Sequence, residues 1–193
     1  DGEYTSNADV TISILAVNDA PALALVSDVS FDEDGSYSTS LLGSDIDGDA
    51  LTYSITGGTD ITATLIDTDI TFNAPTDYNG SEEFTVSVAD GELSDSQIIT
   101  VTVNPVNDAP ELILIGDREV NEDNELNLLL LSYDIEGDQL LYSIIGGTYI
   151  TSSLSENDLT LTPAQDFYGS ESFTVTVSDG ELEDTETFTL TIN

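Results

Sequence analysis

The acidic residues of this chain fall in short clusters that have the composition of turns. Carboxylate and amide oxygens are hard ligands, which suit Ca²⁺ or Mg²⁺ far better than zinc or copper. The chain has no Cys and no His that could supply softer ligands. The sequence therefore predicts Ca²⁺ binding. The predicted ligands at one group of turns are Asn18, Asp19, Asp45, Asp47, Asp49, Asp90, Asn107, Asp108, Asp134, Glu136, Asp138 and Asp179, with Glu33 and Asp77 at a second group.

Two other interpretations of the Asp45-Ile46-Asp47-Gly48-Asp49 segment have to be weighed. Asp and Gly also favour solvated turns that bind no metal. Three carboxylates within five residues repel one another unless a cation lies between them, which favours the metal site. An EF-hand does not fit, because its twelfth loop position would be Thr56 or Ile145 rather than Glu.

The composition limits the possible functions. The chain has 39 acidic residues against one basic residue, Arg118, which gives a formal net charge of −38. Such a surface repels nucleic acid and anionic membranes. Without His or Lys, a Ser or Thr nucleophile lacks an activating base, and the acids lie among other acids rather than in an apolar cleft. We therefore expect that the chain is not an enzyme.

An internal repeat organises the chain. Asp1-Gly2-Glu3 returns 89 residues later as Asp90-Gly91-Glu92, and again after a further 89 residues as Asp179-Gly180-Glu181. Because the register never slips, we assign residues 1–17 to the trailing strand of an upstream repeat, 18–106 to one repeat and 107–193 to a second. Residues 3–16 would be a strand whose free edge docks on a neighbouring unit or on another molecule.

Each repeat reads as a series of half-buried strands. Phe84-Thr85-Val86-Ser87-Val88 and Leu51-Thr52-Tyr53-Ser54-Ile55 alternate apolar and polar residues, and Gly-containing turn signals separate such segments. About seven short strands in some 90 residues is the pattern of an immunoglobulin-like sandwich. We predict an all-β chain of two seven-stranded Greek-key sandwiches arranged end to end.

The strand order decides where the acids fall. Asp45–Asp49, Asp90 and Asn18-Asp19 should meet at the end of the sandwich where the linker enters, which we call the linker end. Glu33 and Asp77 should lie at the opposite end, the far end. End-to-end stacking would bring Glu33 and Asp77 towards the linker-end acids of the second repeat, and the shared ligands would bind Ca²⁺ at the junction.

The chain resembles cadherin repeats of the bacterial type found in large surface adhesins. The resemblance lies in Val17-Asn18-Asp19-Ala20-Pro21 and its counterpart Val106–Pro110, in Asp45–Asp49 with the strand that follows, and in Asp90-Gly91 with Asp179-Gly180. It implies linker-bound Ca²⁺. The linker lacks the family's additional acid and second Asn, which implies fewer ions per junction. Asp117-Arg118-Glu119 spells the family's Asp-x-Glu element but lies too early in its repeat to match it.

The resemblance implies an extracellular extender or adhesion module on a bacterial surface, whose partners are neighbouring repeats of the same chain. No signal peptide or run of membrane-spanning length appears. The main alternative is a module that binds cell-surface polysaccharide or a protein receptor, for which Tyr78, Tyr149 and Tyr168 are the candidate contacts. Tyr53 and Tyr142 alternate with core positions and are expected to be buried. Homophilic adhesion is a third possibility.

Overall fold

The computed structural model describes residues 2–3 and 7–193, and these residues form strands and turns without a helix. The chain divides between Pro105 and Val106 into two compact units. The predicted all-β class is therefore confirmed. None of the described residues lies in a helix that is long and apolar enough to cross a membrane.

The described residues of the first unit form nine strand segments, most of them in two main sheets. The segments are β1 Ala22–Leu23, β2 Val29–Asp32, β3 Ser36–Ser40, β4 Gly43–Ser44, β5 Thr52–Gly57, β6 Thr62–Ile66, β7 Asp69–Asn73, β8 Gly80–Ala89 and β9 Ser94–Asn104. One sheet has the order β2-β9-β8-β5 and the other has the order β3-β7-β6, while β1 pairs with β4. Only β2 and β9 pair in parallel; the other pairs are antiparallel.

The second unit repeats this arrangement. Its segments are β10 Glu111–Leu112, β11 Arg118–Val120, β12 Leu126–Leu129, β13 Ser132–Tyr133, β14 Leu141–Gly146, β15 Ile150–Ser155, β16 Asp158–Pro163, β17 Gly169–Ser178 and β18 Glu183–Ile192. The sheets are β11-β18-β17-β14 and β12-β16-β15, with β10 paired to β13.

Side chains that alternate along the strands fill the core of each unit. Phe84, Val86 and Val88 of β8 are almost fully buried, and the hydroxyl residues between them are only partly covered. Phe72 of the opposite sheet meets Phe84 edge to face, with ring centroids 5.2 Å apart. Tyr53 and Tyr142 pack against the two cores and are partly rather than fully buried.

Each unit has nine segments rather than seven because two strands are interrupted. The first strand crosses from one sheet to the other, and side chains of β9 satisfy part of its backbone. Asp95 accepts a hydrogen bond from the N–H of Leu23 at 2.8 Å, and Gln97 accepts one from the N–H of Val26 at 2.9 Å. A strand can leave its sheet at little cost when side chains replace the lost ladder bonds.

The trailing strand predicted for residues 3–16 is not observed. Residues 7–21 have no regular secondary structure, and residues 4–6 lie outside the described residues. The counterpart of this segment, β9, is a strand because it pairs with β8 and β2. Within the described chain residues 7–17 pair with no such neighbour, and an unpaired strand has no ladder to hold its backbone extended.

Candidate metal site

The loop between β4 and β5 is built around the Asp45 side chain. Its Oδ1 accepts hydrogen bonds from the backbone N–H groups of Asp47 at 2.8 Å, Gly48 at 2.9 Å and Asp49 at 3.2 Å. Gly48 adopts a left-handed φ of 81°, which lets the chain curl around the carboxylate. One carboxylate oxygen from each of Asp45, Asp47 and Asp49 lies within 4.8 Å of the others. The sequence thus folds three acids into one tight group.

The linker residues of the first unit join this loop, as the predicted strand order requires. Asp47 Oδ2 accepts a hydrogen bond from the N–H of Asp19 at 2.9 Å. The Asn18 side-chain amide donates to Asp90 Oδ2 at 2.9 Å. The linker, the β4–β5 loop and the β8–β9 turn therefore meet at one end of this unit.

The second unit gathers the corresponding residues. The Asn107 amide donates to Asp179 Oδ2 at 2.8 Å, and the Asp108 N–H donates to Glu136 Oε2 at 3.4 Å. Asp134 Oδ1 accepts a hydrogen bond from the Asp138 N–H at 2.8 Å. Two independent copies of the repeat thus assemble the same acidic end.

Both copies bury a carboxylate oxygen that has no hydrogen-bond partner. These atoms are Asp45 Oδ2 in the first unit and Asp134 Oδ2 in the second. Asp134 is only 7% exposed. A buried charged oxygen that lacks a partner is unfavourable, and a bound cation would satisfy it. Ca²⁺ takes six to eight oxygen ligands in loose geometry, so acids of this type fit Ca²⁺ well.

Asn18, Asp90, Asn107 and Asp179 have a structural role in addition to their predicted role as ligands. Oδ1 of Asp179 accepts the N–H groups of Glu181 at 2.6 Å and Leu182 at 2.7 Å. Hydrogen bonds from the Leu182 N–H, the Asn107 amide and the Glu181 N–H lower the pKa of Asp179. The Leu93 N–H, the Asn18 amide and the Glu92 N–H do the same for Asp90. Each pair ties the linker to the turn after the penultimate strand.

We expect both carboxyl groups to titrate below the ordinary value of 3.8. Because the folded pKa is lowered, the stabilisation is present at neutral pH and is lost as the pH falls below that value. Asn107→Ala should raise the pKa of Asp179 and leave that of Asp90 unchanged. NMR titration of the side-chain carboxyl carbons measures both groups in one sample. Equal movement of the two values would contradict the assigned linker contact.

Glu33 and Asp77 lie in loops at the far end of the first unit, where Asp77 contacts Asp34, the residue after Glu33. Glu33 follows β2, is 5% exposed and donates its N–H to the carbonyl of Asn104 at 2.9 Å. Asp77 has a left-handed φ of 56° and donates its N–H to Asp34 Oδ1 at 3.4 Å. Asp34 was not among the predicted ligands, because Asp34-Gly35 is also an ordinary turn signal.

Glu82 and Glu171 are functional residues of the fold that the sequence interpretation missed. The Glu82 carboxylate accepts the backbone N–H groups of Thr59, Asp60 and Ile61 at 2.8 to 3.1 Å. Glu171 does the same for Thr148, Tyr149 and Ile150. Their recurrence at the same repeat position was the available signal.

The Asp117-Arg118-Glu119 segment also has a structural role, because Asp117 Oδ1 accepts the N–H of Thr189 at 2.7 Å.

Comparison with known proteins identifies the family. The family model described as bacterial Ig domain matches residues 18–102 and matches again over 107–193. The chain belongs to the bacterial Ig domain family. The two bacterial Ig domains are cadherin-like in fold. Similar solved structures include Drosophila N-cadherin, with a TM-score of 0.60 and 14% identity over 91% of this chain and 50% of that one. Human protocadherin-24 has a TM-score of 0.57 and 17% identity over 90% of this chain and 98% of that one.

A curated relative of the two bacterial Ig domains is much longer. It is a Pseudoalteromonas piscicida protein named chitinase A, which is 31% identical over 130 residues. The match covers 65% of this chain and 16% of that protein. The present chain therefore corresponds to a small part of the relative.

Proposed function

We propose that the two bacterial Ig domains are extender modules of an extracellular bacterial surface protein, and that they bind Ca²⁺ at the linker end of each repeat. The role is non-catalytic. Asp45, Asp47 and Asp49 are the core ligands in the first repeat, and Asp134, Glu136 and Asp138 are the core ligands in the second. The linker residues Asn18-Asp19 and Asn107-Asp108 and the turn acids Asp90 and Asp179 complete each set.

The observation that carries this proposal is the buried carboxylate oxygen without a hydrogen-bond partner, which recurs at Asp45 and Asp134. A solvated turn would place these oxygens in water. A turn that binds no metal needs only one acceptor oxygen. Asp45 Oδ1 already accepts hydrogen bonds from three N–H groups. The second oxygen is explained by a cation.

Bound Ca²⁺ would neutralise part of a −38 charge and join groups that otherwise repel. We further propose, from the sequence, that far-end acids of a preceding repeat such as Glu33 and Asp77 supply additional ligands. Sharing an ion in this way would stiffen the array, since the ion favours one arrangement of neighbouring repeats over all others. Extracellular sites of this kind have dissociation constants on the order of 10⁻⁴ to 10⁻³ M.

Millimolar Ca²⁺ is expected to stabilise the chain against thermal unfolding. A ligand at about ten times its dissociation constant adds about 1.4 kcal/mol per site, because it binds only the folded state. For units of this size that corresponds to a rise in melting temperature of roughly 5 to 10 °C. Calorimetry in chelator and in 5 mM CaCl₂ measures the rise, and small-angle scattering of the same samples measures any elongation.

Sodium chloride of matched ionic strength is the control for simple screening of the acids. Stabilisation of equal size in both salts would mean that the acids attract a diffuse ion atmosphere only. Stabilisation by Ca²⁺ without a change in scattering would support the metal site and contradict the proposed stiffening of the array.

Attachment to a polysaccharide is the second candidate function. The observation that favours it is the 31% identity to part of a protein named chitinase A, which acts on a polysaccharide by its name. A module joined to such a protein could hold it on its substrate or on the cell surface. Retention of the 193-residue chain on an insoluble polysaccharide tests this candidate separately from calcium binding.

A further inference from the structure

The second unit carries a stacked pair of aromatic rings at its surface. Tyr149 lies between β14 and β15, and its ring stacks on Phe167 with centroids 5.2 Å apart and an interplanar angle of 14°. Phe167 in turn packs against the core. Tyr149 is nevertheless 59% exposed, and the adjoining Tyr168 is 78% exposed. We call Tyr149, Phe167 and Tyr168 the aromatic ledge.

The position of Tyr149 is fixed by its backbone. Its N–H donates to the Glu171 carboxylate at 3.0 Å, and its carbonyl accepts the N–H of Ala164 at 2.7 Å. One ring face rests on Phe167, so the exposure belongs to the other face and the edges. The Tyr149 ring is therefore already ordered before any ligand arrives.

The fold itself does not require the ledge. In the first unit, Asp60 and Asn79 occupy the positions of Tyr149 and Tyr168, and only Tyr78 remains as the counterpart of Phe167. The same fold therefore accommodates polar residues at these two positions.

We infer that the aromatic ledge binds a neutral polysaccharide by stacking sugar rings on Tyr149 and Tyr168. This inference rests on polysaccharide attachment, the second candidate function, and is independent of calcium binding. Aromatic faces carry negative charge density, which attracts the C–H groups on the flat face of a pyranose ring. The net charge of −38 disfavours sulphated and uronic-acid polysaccharides and leaves the neutral ones.

The size of the ledge also favours a sugar chain over a protein partner. A tyrosine ring buries about 150 to 250 Å² at most, whereas a stable protein interface needs about 800 Å² from each side. Two exposed tyrosine side chains fall well short of that area. The exposed carboxylate of Asp166, next to Phe167 in the chain, is available to accept sugar hydroxyl groups.

The test measures binding of the 193-residue chain to insoluble chitin and cellulose and to soluble fucoidan, a sulphated polysaccharide, in chelator. We expect the chain to be retained on at least one neutral polymer. We expect it not to bind fucoidan. Tyr149→Ala and Tyr168→Ala should each weaken binding about tenfold, the scale of one aromatic stacking contact. Tyr149→Phe retains the ring and should bind within twofold of the parent chain.

Tyr133→Ala is the matched control, because Tyr133 is 58% exposed in the same unit but lies on β13, away from the ledge. It should leave binding unchanged. Melting temperatures of all variants show whether each one is folded. Retention of the parent chain with no loss in the ledge variants would keep polysaccharide attachment and overturn the ledge as its site. Absence of binding to both neutral polymers would overturn both.

Discussion

Glu82→Gln is expected to lower the free energy of unfolding of the first unit by about 2 to 4 kcal/mol, because it removes charge-assisted hydrogen bonds from a turn. The Glu82 carboxylate accepts three successive N–H groups, those of Thr59, Asp60 and Ile61. A glutamine retains one acceptor oxygen and directs an NH₂ group at the remaining donors. At least one backbone donor is then left without a partner.

The turn has little freedom to find another arrangement. Gly57 and Gly58 both have positive φ, and a Cβ at Gly58 would lie 2.3 Å from the Ile61 carbonyl oxygen and 2.5 Å from the Phe84 ring. The backbone is therefore closely packed against a buried phenylalanine on one side. It cannot shift to satisfy its free donors without disturbing the core.

Glu83→Gln is the matched control, since Glu83 is the next residue of β8 and is exposed on the opposite face. Hydrogen exchange followed by mass spectrometry reports the stability of each unit separately, which a single melting curve of two units does not. The first unit should lose protection in Glu82→Gln only. Equal losses in the two variants would show that the charge matters and the turn contacts do not.

The pH dependence gives an independent check on the same residue. Burial alone would raise the pKa of Glu82, but the N–H groups of Thr59, Asp60 and Ile61 outweigh it and lower the pKa below its ordinary 4.5. The pKa of Glu171 is lowered in the same way. The stabilisation is therefore complete above pH 4.5 and is lost as the pH falls through the folded pKa. The difference in the free energy of unfolding between the parent chain and Glu82→Gln should shrink as the pH falls over that range.

The repeat and the strand pattern could be predicted from the sequence because they depend on periodicity alone. Alternation at Phe84, Val86 and Val88 requires a half-buried strand whatever its neighbours are, and the constant offset places the same strand in both units. Strand direction then places Asp45–Asp49 and Asp90 at one end of the unit. The linker-end contacts of Asn18 and Asp19 follow from this order.

The side chains that replace backbone partners could not be predicted in the same way. Asp95, Gln97 and Asp28 accept N–H groups of residues far away in the chain, which lets the first strand change sheets. In the sequence they are ordinary polar residues: Asp95 and Gln97 alternate in line with the buried Ile99 on β9, and Asp28 lies in the connection between β1 and β2. The partner of a carboxylate depends on tertiary packing, and a period of two contains no information about it.

The same limit explains why one motif has two roles. Asp45 holds its own loop through Oδ1, as a turn residue would, and leaves Oδ2 buried without a partner, as a metal ligand would. The sequence favours both interpretations because both use the same residue. Only coordinates separate the two oxygens. Stability in the absence of metal and stability in its presence should therefore respond in opposite directions to a change at such a residue.

Asp134→Asn is expected to show this reversal. In chelator the variant should be more stable than the parent chain by about 1 to 2 kcal/mol, because it removes a buried charge without a partner. The Asn side-chain oxygen can still accept the Asp138 N–H, so the turn is retained. In 5 mM CaCl₂ the variant should instead be the less stable of the two, because it has lost a carboxylate ligand.

Asp158→Asn is the control for net charge. Asp158 is exposed on β16, and its replacement removes one negative charge from the same domain. This variant should change the free energy of unfolding slightly, and by the same amount with and without Ca²⁺. Paired denaturant titrations with and without Ca²⁺, followed by hydrogen exchange in the second unit, measure the reversal of the stability order between Asp134→Asn and the parent chain. If Asp134→Asn and the parent chain keep the same stability order in both conditions, Asp134 is a turn residue only, and the stabilising effect of Ca²⁺ has to arise elsewhere in the chain.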